Sequence, residues 1–113
     1  KGLMKKMNKM LSLYKRDIQF MIQHYGSETE PLPVKDIALF ARVKEQGSCP
    51  ATRRLIRELI KEGTPIGSNG KGYFLLRTKQ QLQVYLNSLM QRQVRIAERI
   101  SDTFYAFERR TKQ

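Results

Sequence analysis

Residues 34–76 read VKDIALFARVKEQGSCPATRRLIRELIKEGTPIGSNGKGYFLL, and the order of local signals along this stretch decides the fold. Ile37, Ala38, Phe40 and Ala41 recur at helical spacing, which predicts a short helix over 34–44. Gly47 permits a tight turn, and Ser48 is a good N-cap for a second helix over 49–62. At about 100° per residue, Arg53, Arg54, Arg57 and Lys61 share one arc of that helix, and Leu55, Ile56, Leu59 and Ile60 occupy the opposite arc. A helix patterned in this way buries its apolar side and presents a row of cations to solvent. Gly63 is placed to end it in a left-handed conformation. Residues 65–67 and 73–76 then read as two short strands around Ser68, Asn69, Gly70, Lys71 and Gly72, with Gly70 expected to supply a positive φ at the tip. Residues 32–34 offer a further short strand to brace this hairpin.

The chain around this stretch is strongly basic. Among 113 residues, 22 Lys and Arg face 10 Asp and Glu, giving a net charge of +12 and a pI near 10.2. Such an excess favours polyanionic partners, because neutralising phosphates releases condensed counterions. Nucleic acid is the leading partner, and an anionic membrane surface is the alternative. The charge is concentrated: residues 1–16 hold six basic and no acidic side chains, whereas 17–33 carry only Asp17, Glu28 and Glu30 as charges. A hydrophobic fraction of 40% suits one folded domain with a modest core.

Two longer helices are predicted on either side. Over 3–25, Met4, Met7, Leu11, Tyr14, Ile18, Met21 and Tyr25 alternate at spacings of three and four as one apolar stripe. The plainest reading is a first helix packed on the core; a basic membrane-surface helix and an intermolecular contact are the other two. Gly26 and Ser27 end it, and Pro31 and Pro33 prevent its resumption. From Thr78 to about residue 110 a long helix is predicted, opened by a capping box of Thr78 and Gln81. Leu82, Leu86, Leu89, Gln93, Ile96, Ile100, Thr103 and Phe107 form a heptad seam along it, interrupted by the polar Gln93 and Thr103. A helix of about thirty residues spans roughly 45 Å, more than a small core requires. A homodimer built on Leu82, Leu86, Leu89, Gln93, Ile96, Ile100 and Phe107 is favoured over an intramolecular hairpin of the two terminal helices.

The run from Arg53 to Ser68, followed by Gly72-Tyr73-Phe74-Leu75, resembles the recognition helix and wing of bacterial and phage winged-helix proteins. The similarity covers about 45 residues, and it extends to small helix-turn-helix proteins of phages and mobile elements with a long helix after the wing. It implies a winged helix-turn-helix core with a small β-hairpin wing at 27–77; the N-terminal helix at 1–26 and the long C-terminal helix at 78–113, which complete a mainly α chain, lie outside the resemblance and rest on periodicity alone. In that family the second helix of the turn motif reads bases in the major groove, and the wing touches backbone or minor groove. Those roles fall on Thr52, Arg53, Arg54 and Arg57, and on Asn69 and Lys71; Ser48, Lys61 and Ser68 join them by position.

The residues argue against catalysis. His24 is the only histidine and Cys49 the only cysteine, so neither a Ser/His/Asp arrangement with alternatives nor a Cys/His metal cluster is available. Cys49 reads as partly buried packing, and His24 as a surface or capping residue. No cofactor and no metal are expected. No apolar run approaches membrane-spanning length, so a cytoplasmic, nucleoid-associated protein is expected. The expected function is sequence-specific binding of double-stranded DNA by a dimeric transcriptional regulator. A replication-origin-binding or accessory protein uses the same chemistry. An interaction module docking a protein of the transcription or replication machinery, and an architectural DNA protein, remain the other readings.

Overall fold

The computed structural model describes residues 2–111 and is mainly helical with one two-stranded antiparallel hairpin. The chain divides into two compact units, Lys1–Arg77 and Thr78–Gln113. The first holds α1 (Gly2–Tyr25), α2 (Val34–Ala41), α3 (Pro50–Lys61), β1 (Ile66–Asn69) and β2 (Gly72–Leu75); the second is α4 (Lys79–Thr111).

The core of the first unit forms where three helices and the hairpin meet. Ile18 and Ile22 of α1, Ile37 and Ala41 of α2, Leu55, Ile56 and Leu59 of α3 and Ile66 of β1 make one buried cluster. Tyr14, Met21, Leu32 and Val43 pack against its edge. The stripe expected along α1 is therefore buried only in its second half: Met4, Met7 and Leu11 are exposed, and so is Tyr25. Length explains this. A 24-residue helix extends about 36 Å, whereas the 12 residues of α3 cover only about 18 Å. Ile22, which lies beside the expected stripe, is fully buried in its place.

Helix α2 stops at Ala41 rather than at residue 44. Arg42 adopts the left-handed conformation at φ 61°, and the N–H groups of Arg42 and Val43 bond back to Leu39 O (3.2 Å) and Ala38 O (2.9 Å). This closure turns Val43 onto the core, and the apolar contact compensates for a non-glycine residue in a conformation that disfavours a Cβ. Helix α3 ends in the same pattern with the expected glycine. Gly63 sits at φ 112°, its N–H bonds to Ile60 O, and the N–H of Thr64 bonds to Leu59 O at 2.9 Å.

The hairpin is longer than the sequence suggests. Its register pairs Ile66 with Leu75 and ends at Asn69 opposite Gly72, so only Gly70 and Lys71 form the loop. The bracing strand expected over 32–34 exists as a single bridge: Leu32 N–H donates to Tyr73 O (2.7 Å) and Tyr73 N–H to Leu32 O (2.8 Å). In the second unit the expected capping box is present at the start of α4. Gln81 N–H donates to Thr78 Oγ1 at 3.1 Å, and Thr78 N–H to Gln81 Oε1 at 3.3 Å. No residue of α4 is buried.

Candidate nucleic-acid interface

The basic face depends on how α3 begins. Pro50 occupies its first turn, which removes one N–H that would otherwise need a partner, and makes Cys49 the capping residue. Cys49 is buried, lies at φ 54° and supplies no side-chain cap. Gly47 at φ 69° and Cys49 together turn the chain so that Glu45 reaches the open end of the helix. Glu45 Oε1 accepts from Ala51 N–H at 2.6 Å, and Oε2 accepts from Thr52 N–H at 2.8 Å and from Thr52 Oγ1 at 2.6 Å. A carboxylate four residues upstream of the N-cap thus does what the N-cap side chain usually does, and its charge suits the positive end of the helix dipole.

Two expectations are corrected here. Ser48 is not the N-cap; it is exposed in the turn, and its carbonyl accepts from Arg53 Nε at 2.6 Å. Thr52 does not face solvent. Its exposure is 0%, and both its N–H and its hydroxyl are held by Glu45, so it supports the helix instead of reaching a duplex. Periodicity carries this information: Thr52 precedes Leu55, Ile56 and Leu59 by three, four and seven residues, which puts it on the buried stripe.

Burial disfavours the charged form of Glu45, but the hydrogen bonds from the Thr52 hydroxyl and from the N–H groups of Thr52 and Ala51 outweigh it, leaving its pKa below the usual glutamate value. A carboxylate held lower in the folded state contributes stability that is complete above its unfolded pKa and is lost as pH falls through the folded one. Glu45→Gln is accordingly expected to cost about 1 kcal/mol near neutral pH, equivalent to roughly 4–8 °C in Tm for a unit of this size. The gap in Tm between the parent and Glu45→Gln should shrink as pH is lowered from about 6 to 3, followed by circular dichroism. A gap that stays constant across that range would show that the carboxylate charge adds nothing to the cap.

With the start of α3 set, Arg54, Arg57 and Lys61 emerge as an exposed row, spaced three and four residues apart. The buried side is narrower than expected, because Ile60 is 44% exposed and stands outside the core. Glu62, next to Lys61 in sequence, is paired with Lys15 of α1. Arg53 differs from the rest of the row. It is half-buried, bonded through Nε to Ser48 O and through Nη1 to Tyr73 Oη at 3.1 Å, so it ties α3 to β2.

A groove of about 390 Å³ opens between the start of α2, Arg53 and the hairpin, and three cations, Lys35, Arg53 and Lys71, lie along it. Lys35 is the one of these three cations that the sequence does not single out. At the hairpin tip, Asn69 Oδ1 accepts from Lys71 N–H (2.8 Å) and Gly72 N–H (3.2 Å). Asn69 therefore shapes the tip through its oxygen, while Lys71 is exposed beside it and Ser68 is half-buried. Gly70 does not take the positive φ expected of it; Gly72 does, at φ 155°, where the chain passes Leu32.

The residues expected to dimerise, Leu82, Leu86, Leu89, Gln93, Ile96, Ile100 and Phe107, all lie on α4 with none buried; Ile100 is 67% and Phe107 66% exposed. Among the described residues no group of three His, Cys, Asp or Glu side chains is placed to hold a metal ion, and no helix is long and apolar enough to cross a membrane. No protein family, curated protein or solved structure is a match for this chain.

Proposed function

We propose that this chain is a sequence-specific double-stranded DNA-binding protein of winged helix-turn-helix type, acting as a dimeric transcriptional regulator without catalytic activity. In this reading α2 and α3 are the helix-turn-helix, α3 lies in the major groove, the β1–β2 hairpin is the wing and α4 joins two copies. The observation that carries it is the exposed row of Arg54, Arg57 and Lys61 on a helix whose opposite stripe is buried in the core. Arginine forks match the N7 and O6 acceptors of guanine and the oxygens of phosphate. The groove lined by Lys35, Arg53 and Lys71 adds a cationic track for the adjoining phosphates, and the net charge of +12 supplies long-range attraction. Two copies would meet two half-sites about one helical turn apart.

The test is selection from a pool of random duplexes at about 150 mM salt, where nonspecific binding is weak, followed by anisotropy titration of the enriched sites. Enrichment of a two-fold or tandem motif is the expected result. Uniform weak binding would instead identify an architectural protein. Absence of binding would remove the DNA reading and favour a module that docks another protein. A motif found at promoters supports regulation, and one found at an origin transfers the same chemistry to replication.

A further inference from the structure

We infer that α4 pairs with α4 of a second copy of this chain as a parallel, in-register pair of helices, with Gln93 facing Gln93. This rests on the dimeric reading above and adds the orientation. Most of a helix's stability in a protein comes from packing of its apolar face, yet α4 runs for 33 residues with none buried. The alternation of four and three that starts at Leu82 and Leu86 continues to Phe107 without a break. Counted as a heptad, Leu86, Gln93 and Ile100 fall at a, and Leu82, Leu89 and Ile96 at d.

The surface of α4 has the relief such a pairing needs. A hollow of about 450 Å³ is lined by Leu86, Leu89, Met90, Arg92, Gln93 and Ile96. These six residues make two adjoining diamonds: Leu86, Leu89, Met90 and Gln93, then Leu89, Arg92, Gln93 and Ile96. Each diamond is a four-residue hole of the kind that receives one side chain from a facing helix. In a parallel pair in register, the occupants are Leu89 and Gln93 of the second copy.

Polarity and charge select this orientation. A heptad slip sets Gln93 against Leu86 or Ile100 and strands a buried amide without a partner. In an antiparallel pair a positions face d positions, and Thr103 is then the only polar residue of the seam available to Gln93. That alignment also sets the g edges, which carry Arg92 and Arg99, against each other. A parallel pair avoids the repulsion, since each g residue meets the e position five residues further along the second copy. Arg92 then covers Ala97 with its aliphatic stem, and Arg99 lies over the ring of Phe104.

The full chain carrying Leu82→Cys, at the N-terminal end of the seam, distinguishes the arrangements, with Gln93→Cys as a second site. The parent chain, whose Cys49 is buried, is the control. Sedimentation equilibrium is expected to give twice the chain mass for all three proteins. Mild oxidation is expected to convert most of each variant, and little of the parent, to a covalent dimer. Twice the chain mass without cross-linking at Leu82→Cys would overturn the parallel orientation but leave the dimer, because antiparallel helices hold those sites tens of ångströms apart. A three-chain mass would overturn the pair. A monomer up to about 100 μM would overturn both the pairing and the dimeric reading.

Discussion

Replacing Arg54 and Arg57 together by glutamate is expected to weaken binding to a selected duplex by at least about 10³-fold at 150 mM salt. Each arginine paired with a base edge contributes about 1–3 kcal/mol of discrimination, and a carboxylate in its place adds repulsion from phosphate. Both side chains are exposed and stand outside the buried cluster, so stability should stay within about 1 kcal/mol of the parent. The milder pair Arg54→Ala and Arg57→Ala should also flatten the plot of log affinity against log salt if either residue touches phosphate. Arg53→Ala supplies the contrast. Its guanidinium bonds Ser48 O and Tyr73 Oη, so its loss should lower both affinity and stability. If the Arg54/Arg57 double variant binds as tightly as the parent, α3 is not the reading element, whatever else the protein binds.

The second large effect is expected at Gly72. A Cβ there would stand 2.3 Å from Leu32 O and 2.8 Å from Pro33 N, both backbone atoms that cannot step aside cheaply, and φ is 155°. Gly72→Ala must therefore break the Leu32–Tyr73 bridge or push the hairpin off the start of α2. The loss of two backbone hydrogen bonds together with the strain is expected to cost about 3 kcal/mol or more, which lowers Tm by at least about 12 °C. Gly70, two residues earlier on the same tip, has open space for 4 Å around the place a Cβ would take, and Gly70→Ala should be neutral to about 0.5 kcal/mol. Thermal melts of the two variants decide the matter. Equal losses would mean that tip flexibility, and not the close approach to Leu32, is what glycine provides. Because Tyr73 is also the partner of Arg53, Gly72→Ala should disturb the groove along with the hairpin.

The order of elements, the cationic row and the α4 capping box were legible in the sequence because each depends on side chains within a few residues of one another. Helical periodicity places Arg54, Arg57 and Lys61 on one face regardless of what the opposite face meets, and Thr78 and Gln81 bond across a single turn. The hairpin was legible for the same reason, since two glycines and an asparagine between apolar runs bend the chain locally; its loop was overestimated because Asn69 supplies an extra pair of hydrogen bonds to close it. Only the tertiary structure decided which parts of these patterns are covered. It buried Ile22 and left Met4, Met7 and Leu11 in solvent, because the elements packed on α1 are shorter than α1. It gave the cap of α3 to Glu45, and it bound Arg53 to Tyr73 across 20 positions of sequence. Those contacts follow from backbone angles at Gly47 and Cys49 and from the close pass of Gly72 by Leu32. Such geometry is settled by the joint packing of separate elements and leaves no periodic trace in the residues themselves.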